Sequence, residues 1–404
     1  MNAFNGLKVL EFAWVVAGPF LSSYFARHGA TVVKVESPTQ PDMMRLAAPY
    51  KDGVPGLNRS GAYAFINVNK YHMTLNLNHP KGLELARKLV AWADIVSENF
   101  TPGRMEQWGL GYEDLKKIKP DIILIRSSNQ GQTGPQAARR GFGILLTSQA
   151  GFNAITGWQD RGPSSSYFGY TDFIAPRFAA TALIAALIYR RRTGKGLCLD
   201  MSQLEASQYF LAPLILDYTV HGRDPRPAGN SCPNAAPHGA YRCKGEDRWC
   251  AISVSTDGEW KAFCAAMGHP EWTQEPRFAT LLSRKQHEAE LNRRVEEWTT
   301  NLTAEEVMDL LQEAGVPAGV IKSTKDLLED PQLNHRNHVW WLEHKEIGPF
   351  PHLGASMVFS KTPAEPKMPS PLFGEHNEHV CLEFLGIPKT EFDALLAEGV
   401  FGGY

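Results

Sequence analysis

Cysteine is scarce and scattered: Cys198, Cys232, Cys243, Cys250, Cys264 and Cys381 include no C-x-x-C pair. That spacing excludes a disulfide scaffold and a zinc-ligand pattern, and it reads as reduced thiols in a cytoplasmic protein. No G-x-G-x-x-G, Walker A, G-x-S-x-G or H-E-x-x-H sequence occurs. A dinucleotide fingerprint, a P-loop, a serine nucleophile elbow and a zincin helix are therefore excluded. The start, MNAFNGLKVLEF, has neither the basic opening nor the apolar run of a signal peptide. The most apolar later stretch, 178–189, is about 12 residues, short of a bilayer span. A net charge of −2 gives no pull toward nucleic acid or an anionic membrane. None of the thirteen histidines has metal-ligand spacing, and His72, His79 and His238 read as structural or solvent-facing.

What the sequence does contain is an alternation of strands and helices. Residues 7–12 (LKVLEF) and 31–35 (TVVKV) are strand-like and flank a helical stretch, a β-α-β unit of about 30 residues. Further strands are expected at 74–77, 94–97, 121–126 and 197–201, with helices at 81–93 and 172–192. This order predicts a mixed α/β fold with a parallel, doubly wound sheet. Arg190, Arg191 and Arg192 close the 172–192 helix and suit its C-terminal dipole, with Gly194 as the stop.

From Asp217 the texture changes, and residues 222–239 are rich in Gly, Pro, Asn and Ser. Beyond them, 239–243 and 249–253 read as paired strands, followed by helices at 258–267, 285–299 and 303–314. The expected organisation is a large domain from 1–215, a smaller α+β domain from 225–330, and a return of 335–404 to the large domain. A C-terminal helix is expected at 376–385.

Asp172 stands between a Gly-, Ser- and Tyr-rich loop and an apolar helix. Two roles suit a carboxylate there. It could cap the helix by accepting bonds from free N–H groups, or it could stay ionised and attack a carbonyl. Lys70, Arg104, Arg139 and Arg140 lie in or beside loops, where each is either solvated or a phosphate contact.

Taken in order, the motifs resemble family III of the CoA-transferases, the group of formyl-CoA transferase and α-methylacyl-CoA racemase. They run from Gly6-Leu7-Lys8-Val9-Leu10-Glu11-Phe12 and Ala17-Gly18-Pro19 through Asn69-Lys70 and Glu98-Asn99-Phe100-Thr101-Pro102-Gly103. Gly131-Gln132-Thr133-Gly134-Pro135, Asp172, Thr193-Gly194-Lys195-Gly196, Gly315-Val316-Pro317-Ala318-Gly319 and Leu372-Phe373-Gly374-Glu375-His376 follow. The resemblance implies a Rossmann-like large domain, a smaller domain, and two chains interlocked as a homodimer, or a heteromer with a related chain. It implies no permanent cofactor and no metal, with coenzyme A, acyl-CoA and carboxylic acids as substrates. It places the acylated carboxylate at Asp172, CoA contacts at Asn99, Phe100 and Arg104, a phosphate contact at Lys70, a CoA-binding position at Arg140 where formyl-CoA transferase has a lysine, and the first-loop segment at Val15, Val16 and Ala17. Where racemases carry a His-Asp pair this chain has Phe142 and Gly143, which removes an acid/base partner. At the glycine run of formyl-CoA transferase it has residues 229–234, GNSCPN, so oxalate and formate fit poorly. With Trp14, Val15 and Val16 beside the expected pocket, the resemblance implies an acid with an apolar or aromatic body, with succinyl-CoA as a possible donor. The alternatives it leaves open are a racemase or epimerase and a subunit of a mixed assembly.

Overall fold

The computed structural model describes residues 2–402. By internal contacts the chain divides into two compact units. One comprises Met1–Asn153, Ser165–Asp224 and Gln332–Tyr404; the other comprises Ala154–Ser164 and Pro225–Pro331. The 154–164 segment, expected within the large domain, groups with the smaller unit.

The larger unit is built on a six-stranded parallel sheet. Its strands are β1 (Lys8–Glu11), β2 (Thr31–Glu36), β3 (Tyr71–Thr74), β4 (Ile95–Glu98), β5 (Ile123–Ser128) and β6 (Leu197–Ser202), in the order β3-β2-β1-β4-β5-β6. Between them run α1 (Ala17–Arg27), α2 (Gly61–Ile66), α3 (Pro80–Trp92), α4 (Arg104–Gln107), α5 (Tyr112–Ile118), α6 (Gly143–Gln149), the single turn α7 (Phe152–Ile155) and α8 (Thr171–Thr193). Helix α9 (Gln203–His221) follows β6, with Ser202 capping it through the Glu205 N–H.

Strand alternation divides the core into two layers. Leu10, Val33, Val96 and Leu124 face one side, against Leu85 and Leu89 of α3, Leu115 of α5, and Phe392 and Val400 from the C-terminal segment. Val9, Val32, Ile95, Ile123 and Ile125 face the other, against Leu21 and Phe25 of α1 and Ala179, Leu183 and Ala186 of α8. Helix α8 is long and apolar enough to cross a bilayer by composition. The stripe it buries on this sheet makes it a core helix instead. Gly194, at φ 69°, ends α8 in the left-handed region that favours glycine.

Three expectations need correction. The strand placed at 74–77 is Tyr71–Thr74, three residues earlier. The helix at 285–299 is broken at His287 into Leu281–Gln286 and Glu288–Thr299. The C-terminal helix begins as Asn377–His379 and continues as a π-helical turn, Val380–Phe384. A hairpin of β10 (Val339–His344) and β11 (Gly348–Leu353), and a last helix at Lys389–Ala397, were not expected.

The smaller unit has an antiparallel sheet of β7 (His238–Arg242), β8 (Trp249–Ser253) and β9 (Ala318–Val320). Helices Asp257–Ala266, Glu288–Thr299 and Ala304–Glu313 cover it around Tyr241, Ile252, Phe263, Val295 and Leu311.

Candidate active site

In an open doubly wound sheet, ligands bind beyond the carboxyl ends of the strands where the strand order reverses. Here that point lies between β1 and β4. The β1–α1 loop and the residues after β4 meet there through Asn99. Its Oδ1 accepts the Trp14 N–H at 2.9 Å and its Nδ2 donates to the Trp14 carbonyl at 2.7 Å.

The loop is fixed from below by buried charges. Asp42 Oδ1 accepts the Val15 N–H at 3.0 Å and Lys34 Nζ donates to the Ala13 carbonyl at 2.7 Å. Lys34 also pairs with Glu11 and Asp42 at 3.1 and 3.0 Å. Val15 is held at φ 67°, a costly conformation for a β-branched residue. Such strain persists only where surrounding bonds over-determine the backbone, as these do.

Two crevices flank this point and share Phe100, Thr101 and Arg104. The first, about 440 Å³, is walled by Trp14, Phe100 and Trp108 and floored by the ends of β2 and β3, including Ser37 and Asn76. Its aromatic frame is fixed edge to face, with Phe100 5.5 Å from Trp14 and 5.4 Å from Trp108. The second, about 380 Å³, is lined by Asn99, Phe100, Arg104, Arg139 and Arg140. Aromatic walls beside a cluster of arginines suit a base and its phosphates.

Asp172 is reached along one short path. Gly141 lines the second crevice, and two residues on, Gly143 abuts the Asp172 carboxylate. A Cβ at Gly143 would lie 2.0 Å from Asp172 Oδ2, and one at Gly169 would lie 2.6 Å from it. The carboxylate is thus wedged between two glycines that no larger residue could replace in place. It sits at the second position of α8 and is 8% exposed. No hydrogen bond or ion pair to its carboxylate occurs among the described residues. Burial alone pushes it up from 3.8 to about 7. The cap role is removed: Tyr170 precedes the helix, and no side-chain cap bond is made.

The first loop and the start of α8 share one apolar cluster, in which Val16, Met44, Tyr63 and Ile66 are covered by Val15, Phe20 and Phe173. Val16 and Ala17 are buried at 1% and 3%, and the Val16 side chain packs into this cluster. Trp14 faces the first crevice. The large apolar residues that precede the two flanking glycines and the helix are Phe142, Phe168 and Tyr170, which are 57%, 38% and 42% exposed.

Lys70 lines neither crevice. It is fully buried, and its ammonium is used by Glu11 at 2.9 Å, the Pro19 carbonyl at 2.8 Å and Asn67 at 2.9 Å. Burial pulls it down to about 8, against the attraction of Glu11. It braces the α1 start from within and has no donor left for a phosphate. Trp108 and Asn76 were not anticipated. The strand expected at 74–77 covers 75–77, which is a loop at the strand ends.

A doubly wound α/β sheet with a crevice at its switch point, and one desolvated carboxylate beside it, defines the class. The chain belongs to CoA-transferase family III, whose model matches residues 4–377, and it is an enzyme of that family. It is 34% identical over 396 residues to a succinyl-CoA–D-citramalate CoA-transferase of Chloroflexus aurantiacus, covering 98% of this chain and 97% of the relative. It is 31% identical to a succinate–glutarate CoA-transferase of Agrobacterium fabrum, with 96% of each covered. A crystal structure of a CaiB/BaiF family protein from Brucella suis superposes with a TM-score of 0.86 at 31% identity, covering 95% of this chain and all of that one.

Proposed function

We propose that the enzyme moves CoA from succinyl-CoA to an organic acid through covalent intermediates on Asp172. One observation carries this reading: a buried carboxylate, free of hydrogen bonds and counter-charge, is displaced to about 7 and held between Gly143 and Gly169. A carboxylate of raised basicity is a stronger nucleophile once ionised. Asp172 attacks the donor thioester carbon, the C–S bond breaks, and CoA leaves as thiolate from a mixed anhydride. The thiolate then attacks the aspartyl carbonyl, releasing the donor acid and leaving an aspartyl-CoA thioester. The acceptor carboxylate attacks that carbonyl and expels the thiolate again. Thiolate attack on the acceptor's acyl carbon gives the new acyl-CoA and restores Asp172.

In this reading Trp14, Phe100 and Trp108 hold the adenine end of CoA, and Arg104, Arg139 and Arg140 meet its phosphates. Arg104→Gln should raise KM for the acyl-CoA about tenfold with little change in kcat, since it removes binding remote from the reacting carbon. Asn99→Ala frees the Trp14 backbone at both ends. It should lower kcat/KM by roughly ten- to a hundredfold, on the scale of two lost hydrogen bonds.

The acceptor is proposed to carry an apolar or aromatic body, packed on Phe142, Phe168 and Tyr170. The names of the relatives make dicarboxylates such as glutarate and citramalate the comparison set. The same surroundings weigh against a racemase. Phe142 cannot exchange a proton, and an Asp at position 143 would collide with Asp172.

Initial-rate kinetics test the scheme. Parallel lines with varied donor and acceptor support a ping-pong mechanism. kcat/KM for succinyl-CoA should rise with pH and level off above about 7, because Asp172 must lose its proton to attack. A pH-independent kcat/KM between pH 5 and 8 would contradict this.

Self-pairing is proposed as well. Helix α9 leaves Tyr209, Phe210, Leu216 and Val220 between 55% and 72% exposed, an apolar face suited to a second copy. Light scattering of the purified chain alone should report a dimer, and a monomer that pairs only with a related chain would favour a mixed assembly.

A further inference from the structure

Arg27 and His28 end α1, about 15 Å along the helix from the first loop. They line a separate cavity of about 210 Å³ with Phe20, Tyr24, Phe65 and Arg177. Arg27 is 7% exposed and His28 fully buried. Arg27 Nη2 reaches the Phe65 carbonyl at 3.4 Å, but its Nε has no partner, and neither ring nitrogen of His28 has one. Among the described residues no carboxylate lines this cavity, and neither arginine forms an ion pair.

Buried charges are normally paired, because an unpaired one is costly to desolvate. Here a second guanidinium, that of Arg177, lines the same cavity. Burial, and then Arg177, pull Arg27 down to about 10. Burial and then Arg27 also lower His28, so its ring is neutral and offers one N–H. Rigid aromatic walls hold these donors. Arg177 lies 5.2 Å over the Phe20 ring, Phe20 stacks on Phe65 at 6.3 Å, and His28 stacks on Phe359 at 4.6 Å.

We propose that this cavity binds a small organic acid, its carboxylate taken by Arg27 and Arg177 and its carbon body by Phe20, Tyr24 and Phe65. The planar guanidinium fork matches a carboxylate. An anion between the two arginines removes their mutual repulsion and satisfies the free Nε. The aromatic walls favour a carbon body over a bare inorganic ion. The volume holds on the order of seven water-sized groups, too few for a nucleotide. The site is distinct from the CoA crevice, which lies over the strand ends at Asn99 and Arg104, and the inference does not depend on the chemistry assigned to Asp172.

The test is isothermal titration calorimetry on the full chain saturated with CoA, using phenylacetate and inorganic phosphate as probes. Phenylacetate should bind, and Arg27→Gln and Arg177→Gln should each weaken it by about ten- to a hundredfold, the scale of a charge-assisted hydrogen bond. Arg177 is exposed, so its variant keeps the test decisive if the Arg27 variant does not fold. Undiminished binding in the Arg177 variant would place the probe elsewhere and overturn the assignment. So would an absence of binding at millimolar phenylacetate, or phosphate binding as tightly as phenylacetate through the same arginines.

Discussion

Asp172→Asn should abolish CoA transfer while raising the melting temperature. The loss of activity should be roughly 10⁴-fold or more, the scale of removing a covalent nucleophile. The gain in stability follows from linkage. The folded state holds the Asp172 proton more tightly than the unfolded chain, since burial displaces the group from 3.8 to about 7. Its contribution to stability is therefore fully present below pH 3.8 and is lost as pH rises through about 7. At 1.36 kcal/mol per pH unit, an ionised Asp172 costs the fold up to ~4 kcal/mol at pH 8. A neutral amide of the same shape avoids most of that cost. Thermal unfolding of wild type and variant at pH 5 and pH 8 measures it: the variant should be the more stable at pH 8, and the gap should shrink at pH 5. A helix cap would behave in the opposite sense, with Asn or Ala neutral or destabilising at both values. The same substitution thus separates a residue kept for chemistry from one kept for the fold.

Gly143→Ala should be nearly as damaging to activity without touching a reacting atom. Its Cβ would enter 2.0 Å from Asp172 Oδ2 and crowd the Gly169 backbone. The carboxylate, the softest of the neighbours, must swing away. A displacement of about 1 Å from the attack geometry costs on the order of a hundredfold in rate. kcat for transfer should fall by about that factor, with KM for acyl-CoA little changed, because the crevice at Phe100 and Arg104 is untouched. Unaltered kcat would mean that the wedge of glycines does not position Asp172.

The two-layer core was legible because alternation in Val9-Leu10, Val32-Val33 and Ile95-Val96 feeds opposite faces of the sheet, and because α3 and α8 carry apolar stripes at helical spacing. Asp172 was legible as a carboxylate at a helix mouth, and its choice between cap and nucleophile was not. That choice depends on Gly143 and Gly169, which crowd it from other segments. Lys70 was misread for a related reason. Its partner Glu11 is 59 positions away, and nothing local marks a lysine as buried. The register of β3 was lost because 71–74 and 74–77 alternate equally well. The strand ends where Asn76 turns to the Val400 carbonyl, a contact from the far end of the chain. The β10–β11 hairpin is hard to see in sequence because β11 carries Pro349 and Pro351, residues that argue against a strand although an edge strand tolerates them.

The central claim is that Asp172 becomes acylated during turnover. It is tested most directly by peptide mass spectrometry after incubating the enzyme with succinyl-CoA and hydroxylamine, which converts an activated aspartyl group to its hydroxamate. A hydroxamate at Asp172, formed only with the donor present and absent from Asp172→Asn, is the predicted result. An enzyme that transfers CoA at full rate while Asp172 remains unmodified would contradict the account.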